Sequence, residues 1–293
     1  MRVVGGPSST DLARKVSEVL QLQMVKTRTK RFPDGEFYFK FEDDIRGEDL
    51  LVVQSLYPPQ DKHLMELFII LHTCRDLGAR EIIAFIPYLA YSRQDKRYLK
   101  GECLSSAVVS EILQKLGVST LYTVDVHNED VLKKYKIPTF NLTASPAIAK
   151  YISGKGLNRP FVVAPDSEEL AIKRAEAAAR AIGAQYDYFV KRRNRHTGEI
   201  ETFTKSMDVE GRDVIIIDDI ISTGKTAANA ASILKGLGAR KVYVGVTHAL
   251  MMGNAAEILQ EAGVEEVIGT DSVSNRFAKV SVAPVLAEAV KNR

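Results

Sequence analysis

Short runs of apolar, β-branched residues recur along the chain at positions 3–4, 50–53, 82–86, 121–124, 161–163, 214–217, 242–246 and 266–268. Between them lie stretches in which apolar residues return every three or four positions, as over 170–182 and the alanine-rich 227–234. Runs of the first kind predict strands and stretches of the second predict helices. Strands alternating with helices give an α/β fold with mainly parallel sheets.

The pattern is written twice. Gly47 to Val53 (GEDLLVV) matches Gly211 to Ile217 (GRDVIII), and Leu77 to Ile82 (LGAREI) matches Leu237 to Val242 (LGARKV). Gly117-Val118 with Asp125 matches Gly263-Val264 with Asp271. The three pairs keep their order, at offsets of 164, 160 and 146 residues. The expected architecture is therefore two homologous doubly wound domains meeting near 141–150, divided as 1–143 and 144–293. The copies differ where it matters. The first ends its strand in Gln54-Ser55 and the second in Asp218-Asp219. Open α/β sheets place ligands at the C-terminal ends of their strands, so this part of the chemistry belongs to the second copy.

Composition supports two domains and narrows the partners. A chain of 293 residues that is 45% hydrophobic has material for two medium cores. Forty basic residues against 37 acidic ones leave a formal charge of +3, too even for a nucleic-acid or membrane surface. Cys74 and Cys103 stand far apart in unrelated contexts, which argues against a disulfide framework or thiolate metal site and for a reducing, cytoplasmic location. No leader-like apolar segment opens the sequence, and no apolar run approaches the roughly 20 residues of a membrane span.

The second acidic strand end leads into Ser222-Thr223-Gly224-Lys225-Thr226 and then into a helix. Backbone N–H groups at such a helix start are unpaired and suit a phosphate monoester. Asp218 and Asp219 would repel that phosphate but accept hydrogen bonds from sugar hydroxyls beside it, so the pair and the turn together describe a sugar phosphate. A P-loop is excluded, since its first glycine would fall on Asp219. An ordinary helix cap accounts for the turn but not for two consecutive acids.

This segment is similar to the signature shared by phosphoribosyltransferases and PRPP synthases. Two further motifs separate these families. Phe32-Pro33-Asp34-Gly35-Glu36 resembles the FxDGE element of ribose-phosphate diphosphokinases (PRPP synthases), and Tyr91 to Arg97 (YSRQDKR) resembles their RQD segment. The resemblance runs along essentially the whole chain and implies a duplicated phosphoribosyltransferase-like fold. It implies ATP contacts by Phe32, Asp34, Gly35, Glu36, Arg93, Gln94 and Asp95: the ring stacks on adenine, the carboxylates accept from amino or hydroxyl groups, and the arginine approaches the triphosphate. Read alone, Pro33-Asp34-Gly35 is also an ordinary turn before a strand over 36–41.

In that family the residues matching His127 and Asp166 hold Mg²⁺, whereas a lone histidine after a strand otherwise reads as a hydrogen-bonded structural residue. The turn Asp166-Ser167-Glu168, before the helix expected over 170–182, is expected to offer N–H groups to the diphosphate. Lys191 to His196 (KRRNRH) reads either as a solvated loop or as a lid over a triphosphate. The resemblance implies that Lys191 and Arg193 are catalytic. It further implies ATP and ribose 5-phosphate as substrates, PRPP and AMP as products, and a homodimer or larger homo-oligomer. Lys225 and the stretch after His127 depart from the common pattern, and the short chain is closest in texture to archaeal members. A PRPP-dependent phosphoribosyltransferase would use the second-copy turn but not the two ATP motifs, and a non-catalytic regulatory homologue would have lost lid or metal residues.

Overall fold

The backbone order follows the repeat. The computed structural model describes residues 1–97, 99–193, 200–203 and 207–291, with the backbone alone at 191–193 and 200–203. The chain divides into two units, Met1–Leu142 with Ser281–Arg293, and Thr143–Val280. The first contains β1 (Arg2–Gly5), α1 (Thr10–Leu20), β2 (Thr27–Arg31), β3 (Phe37–Phe41), β4 (Asp49–Val53), α2 (Gln60–Asp76), β5 (Glu81–Phe85), α3 (Ser105–Lys115), β6 (Val118–Val124), a 3-10 turn at Glu129–Lys134, and β7 (Thr139–Leu142). The second contains α4 (Ser145–Ser153), β8 (Phe161–Ala164), α5 (Glu169–Ile182), β9 (Gln185–Tyr188), β10 (Val190–Arg193), β11 (Ile200–Phe203), β12 (Asp213–Ile221), α6 (Lys225–Gly236), β13 (Lys241–Ala249), α7 (Ala255–Glu261), β14 (Val264–Thr270) and β15 (Ala278–Val280). Then α8 (Ala283–Lys291) follows.

Each unit is built on a parallel sheet, ordered β1-β4-β5-β6-β7 in the first and β15-β14-β13-β12-β8-β9 in the second. Leu50 to Val53 and Val214 to Ile217 are completely buried, as strands covered by helices on both faces must be. On α2 the stripe Leu67, Ile70, Leu71 and Cys74 buries at the i, i+3, i+4, i+7 spacing. Burial pushes the Cys74 thiol up to about 12, so it packs as an apolar group and stays unreactive.

The duplication extends further than the matching sequence. Val3 aligns with Leu51 and Val162 with Ile215 in the two sheets. On the other side Val3 meets Met24 and Val162 meets Tyr186. After that edge segment each unit forms an antiparallel hairpin, β2–β3 or β10–β11, in which Arg31 faces Phe37 and Arg193 faces Ile200. The two hairpins hold equivalent places in their units, which the polar sequence of β2 does not reveal.

The last segment departs from the division expected at residues 143 and 144. Ser281–Arg293 belongs with the first unit, because α8 lays Ala283, Leu286 and Ala287 against α1, as α4 packs on α5 in the second unit. Each unit thus has a helix on this side of its sheet, but in the first that helix comes from the end of the chain.

Candidate active site

β12 is longer than its apolar run predicts. It pairs with β13 from Asp213 as far as Ile221, whereas its other neighbour, β8, pairs only with Val214 to Ile216. Asp218 and Asp219 therefore lie inside the strand and not beyond its end, on a stretch whose β8 edge is open. The position still meets the rule for ligand sites in parallel sheets, because the opening lies at the C-terminal side of β8. Asp219 is buried, with Arg174 of α5 at 3.5 Å, and its N–H donates to Asp218 Oδ1 at 2.9 Å. Burial, and next the charge of Asp219, hold the Asp218 carboxyl well above the usual carboxylate range, while Arg174 partly offsets them.

The turn that follows is shaped for close approach. Ser222, Thr223 and Gly224 lead into the first residue of α6, Lys225, and Thr226 stands next to it. Ser222 C=O accepts from Met252 N–H at 2.8 Å, which ties the turn to the loop after β13. Gly224 has φ 77°, and a Cβ there would stand 3.1 Å from the Ala255 carbonyl oxygen. Gly224→Ala is therefore expected to destabilise the protein by about 1–3 kcal/mol, the cost of a non-glycine residue held in a left-handed conformation. Thermal unfolding checks this, and an unchanged midpoint would contradict the geometry. Asp166, after β8, is half-buried and accepts the N–H of Glu168 at 3.1 Å on Oδ1; Ser167 and Glu168 are exposed before α5.

In the first unit Phe32 to Glu36 form the turn of the β2–β3 hairpin. Phe32 N–H donates to Glu36 C=O, Gly35 N–H to Phe32 C=O, and Glu36 N–H to Asp34 Oδ1, the last at 3.1 Å. Gly35 takes φ 96°, a conformation that favours glycine. Phe32 is 40% exposed, with Lys30 Nζ 4.7 Å from its ring centroid and the Tyr38 ring edge-on at 6.0 Å. Beyond β5, Arg93 is exposed and Gln94 half-buried, but Asp95 is buried and accepts Asn128 Nδ2 at 2.6 Å. Asp95 thus fastens its segment to the residue beside His127, which is exposed in the loop after β6. Between them Asp125 is buried at φ 43°, a strained conformation of the kind that concentrates at functional sites.

Lys191 and Arg193 lie on β10, opposite Thr202 and Ile200 of β11, and their side chains fall outside the described residues, as do Asn194, Arg195 and His196. His127 belongs to the first unit and Asp166 to the second. Among the described residues no three His, Cys, Asp or Glu side chains cluster as a metal cage. Arg174 was not singled out by sequence motifs. Its signal is a charge within the buried alanine stripe of α5, beside Ala171, Ala175 and Ala178.

Residues 1–117 match the model of the N-terminal domain of ribose phosphate pyrophosphokinase, and residues 195–291 match the phosphoribosyl synthetase-associated domain. The ribose-phosphate pyrophosphokinase of Sulfolobus acidocaldarius is 40% identical over 97% of both chains. That of Methanopyrus kandleri is 39% identical, covering 100% of this chain and 99% of its own. The crystal structure of phosphoribosylpyrophosphate synthetase from Mycobacterium smegmatis superposes with a TM-score of 0.84 at 28% identity, covering 99% of this chain and 97% of its own. Whole-length similarity in sequence and in fold, over two phosphoribosyltransferase-like units, leaves one assignment: the chain belongs to the ribose-phosphate pyrophosphokinase family of enzymes.

Proposed function

We propose that the chain makes PRPP by moving the β,γ-diphosphoryl group of MgATP onto the anomeric hydroxyl of ribose 5-phosphate. The observation that carries the division of labour is the acid pair on the open stretch of β12, leading directly into the Ser222–Thr226 turn, where the first copy has Gln54-Ser55. In this reading the turn's N–H groups and Lys225 hold the 5-phosphate, and Asp218 and Asp219 accept from the ribose hydroxyls. Phe32, Asp34, Gly35 and Glu36, with Arg93 and Gln94, take the nucleotide, while Asp95 positions that segment through Asn128. Ser167 and Glu168 supply turn N–H groups for the diphosphate.

Asp166 offers the oxygen that a hard divalent ion prefers, and magnesium bound to nucleotide takes only one or two protein ligands. Asp166 and, as the family resemblance implies, His127 are each a residue that would ligate magnesium, which would neutralise phosphate charge. The ribose O1 forms its bond to the β-phosphorus and gives up its proton to solvent as the bond from that phosphorus to the α,β-bridging oxygen breaks, and AMP leaves with the oxygen. Such a transfer runs on positioning and charge stabilisation, with no covalent nucleophile on the protein. Lys191 and Arg193 neutralise the leaving AMP. Two features of the same reading are its cytoplasmic setting and a homo-oligomer of at least two chains.

Phosphorus NMR of the protein with Mg²⁺, ATP and ribose 5-phosphate tests the reaction. AMP should appear together with a diphosphate ester on ribose C1, and only when the sugar phosphate is present. ADP with a singly phosphorylated sugar would replace this reading with an ordinary kinase. No turnover, with tight binding of PRPP, would favour a transferase.

A further inference from the structure

Glu66 is a carboxylate on the core side of α2, only 2% exposed beside Leu67 and Ile70. Both of its oxygens are engaged. Oε1 accepts from the guanidinium of Arg31, and Oε2 from Gln54 Nε2 at 3.3 Å. Gln54, itself fully buried, accepts Ser8 N–H at 3.1 Å on its other side. Arg31 is the last residue of β2, and its second amino group donates to the Gly35 carbonyl at 2.8 Å. A run of hydrogen bonds thus reaches from the loop after β1, through Gln54, Glu66 and Arg31, to the middle of the Phe32–Glu36 turn.

The bonds within the turn fix its shape but not its direction. Phe37 and Phe39 pack β3 onto the core, yet beside the turn a cavity of about 410 Å³ opens between the hairpin and α2, lined in part by Glu36, Lys62 and Met65. Arg31 spans this opening and holds Gly35 to the buried carboxylate. The arrangement belongs to the first copy. In the offsets of the repeat, 164 and 160 residues, Gln54 stands at Asp218 and Glu66 at Thr226. Where the second copy has an acid on its strand and a threonine at the start of its helix, the first places Gln54 and the Glu66 carboxylate to which it donates, with Arg31 on the other oxygen of that carboxylate. Glu66 is buried while the Arg31 side chain is 39% exposed; a pair with one buried charge contributes little net stability over an apolar replacement, and its better-attested use is to specify one geometry.

We infer that Arg31 and Glu66 are positioning residues that aim the Phe32–Glu36 turn at the nucleotide. The inference rests on the reading of that turn as nucleotide-binding. Steady-state kinetics with each substrate varied separately would test it in Glu66→Gln and Arg31→Lys, with Asp34→Ala as the reference. Glu66→Gln should raise KM for ATP about tenfold, the effect of weakening one charged hydrogen bond. KM for ribose 5-phosphate and kcat should stay within about threefold. Arg31→Lys should fall between wild type and Glu66→Gln, because an ammonium keeps the charge but lacks the fork that reaches both partners. Unchanged ATP KM in Glu66→Gln, or a lowered unfolding midpoint with all kinetic constants falling together, would reduce the pair to a structural tie. If Asp34→Ala raises ATP KM and Glu66→Gln does not, only the positioning role is lost; if Asp34→Ala has no effect on ATP, the nucleotide reading fails and takes the inference with it.

Discussion

Lys191→Ala is expected to lower kcat by at least about 10²-fold, the scale of one charge-stabilising contact in a transition state, while KM for ATP changes little. The reaction builds negative charge on AMP as the bridging oxygen departs, and the ground-state complex carries less charge at that atom. A cation that meets this charge acts on the rate more than on binding. The backbone supplies a reason for such a cation to lie on β10. Lys191 and Arg193 are part of a hydrogen-bonded hairpin, registered against Thr202 and Ile200, and a strand limits where their Cα atoms can go. Single-turnover quench of labelled ATP separates the chemical step from product release. A variant keeping a third of wild-type activity would overturn the assignment, and Arg193→Ala offers an independent measure of the same charge.

The parts of this site that were legible in the sequence are those in which one residue type has one physical use. Consecutive acids followed by serine, threonine and glycine singled out the stretch that lies on β12 and in the turn before α6, and the repeat offsets exposed the duplication. The boundaries were less legible. β12 looks finished at Ile217 because its apolar run stops there, yet its backbone continues to bond β13 as far as Ile221, and backbone pairing is indifferent to side-chain polarity. β2 is Thr-Arg-Thr-Lys-Arg, largely exposed and without apolar alternation, so only its partner β3 makes it a strand. The attachment of α8 to the first unit requires tertiary packing that no local pattern encodes. Buried charges were missed for a related reason. Arg174 and Glu66 lie on helical faces that otherwise read as core, and the pairs that make their burial tolerable, with Asp219 and with Arg31, are distant in sequence.

Asp218→Asn should weaken ribose 5-phosphate about 10- to 100-fold in KM and leave ATP nearly unchanged, since a charged acceptor is worth roughly 1.5–3 kcal/mol to a bound hydroxyl and the proposed nucleotide contacts lie on other residues. The same substitution should raise the unfolding midpoint at neutral pH. The Asp218 carboxyl is pushed up by burial and by Asp219, so its protonated form is the one the fold prefers. A group raised in this way contributes stability below its unfolded pKa and loses that contribution as pH rises through the folded value. Ionising Asp218 therefore costs the wild type stability as pH rises, a cost that asparagine removes, and in acid the midpoints of the two proteins should converge. The acidic limb of ribose 5-phosphate binding should move with it: wild-type KM rises as pH falls toward the raised value, and Asp218→Asn loses that dependence. Equal weakening of both substrates would contradict the separate sugar-phosphate site. A lowered midpoint at neutral pH would mean instead that Arg174 holds the pair fully ionised, so that the carboxylate stabilises the strand it occupies.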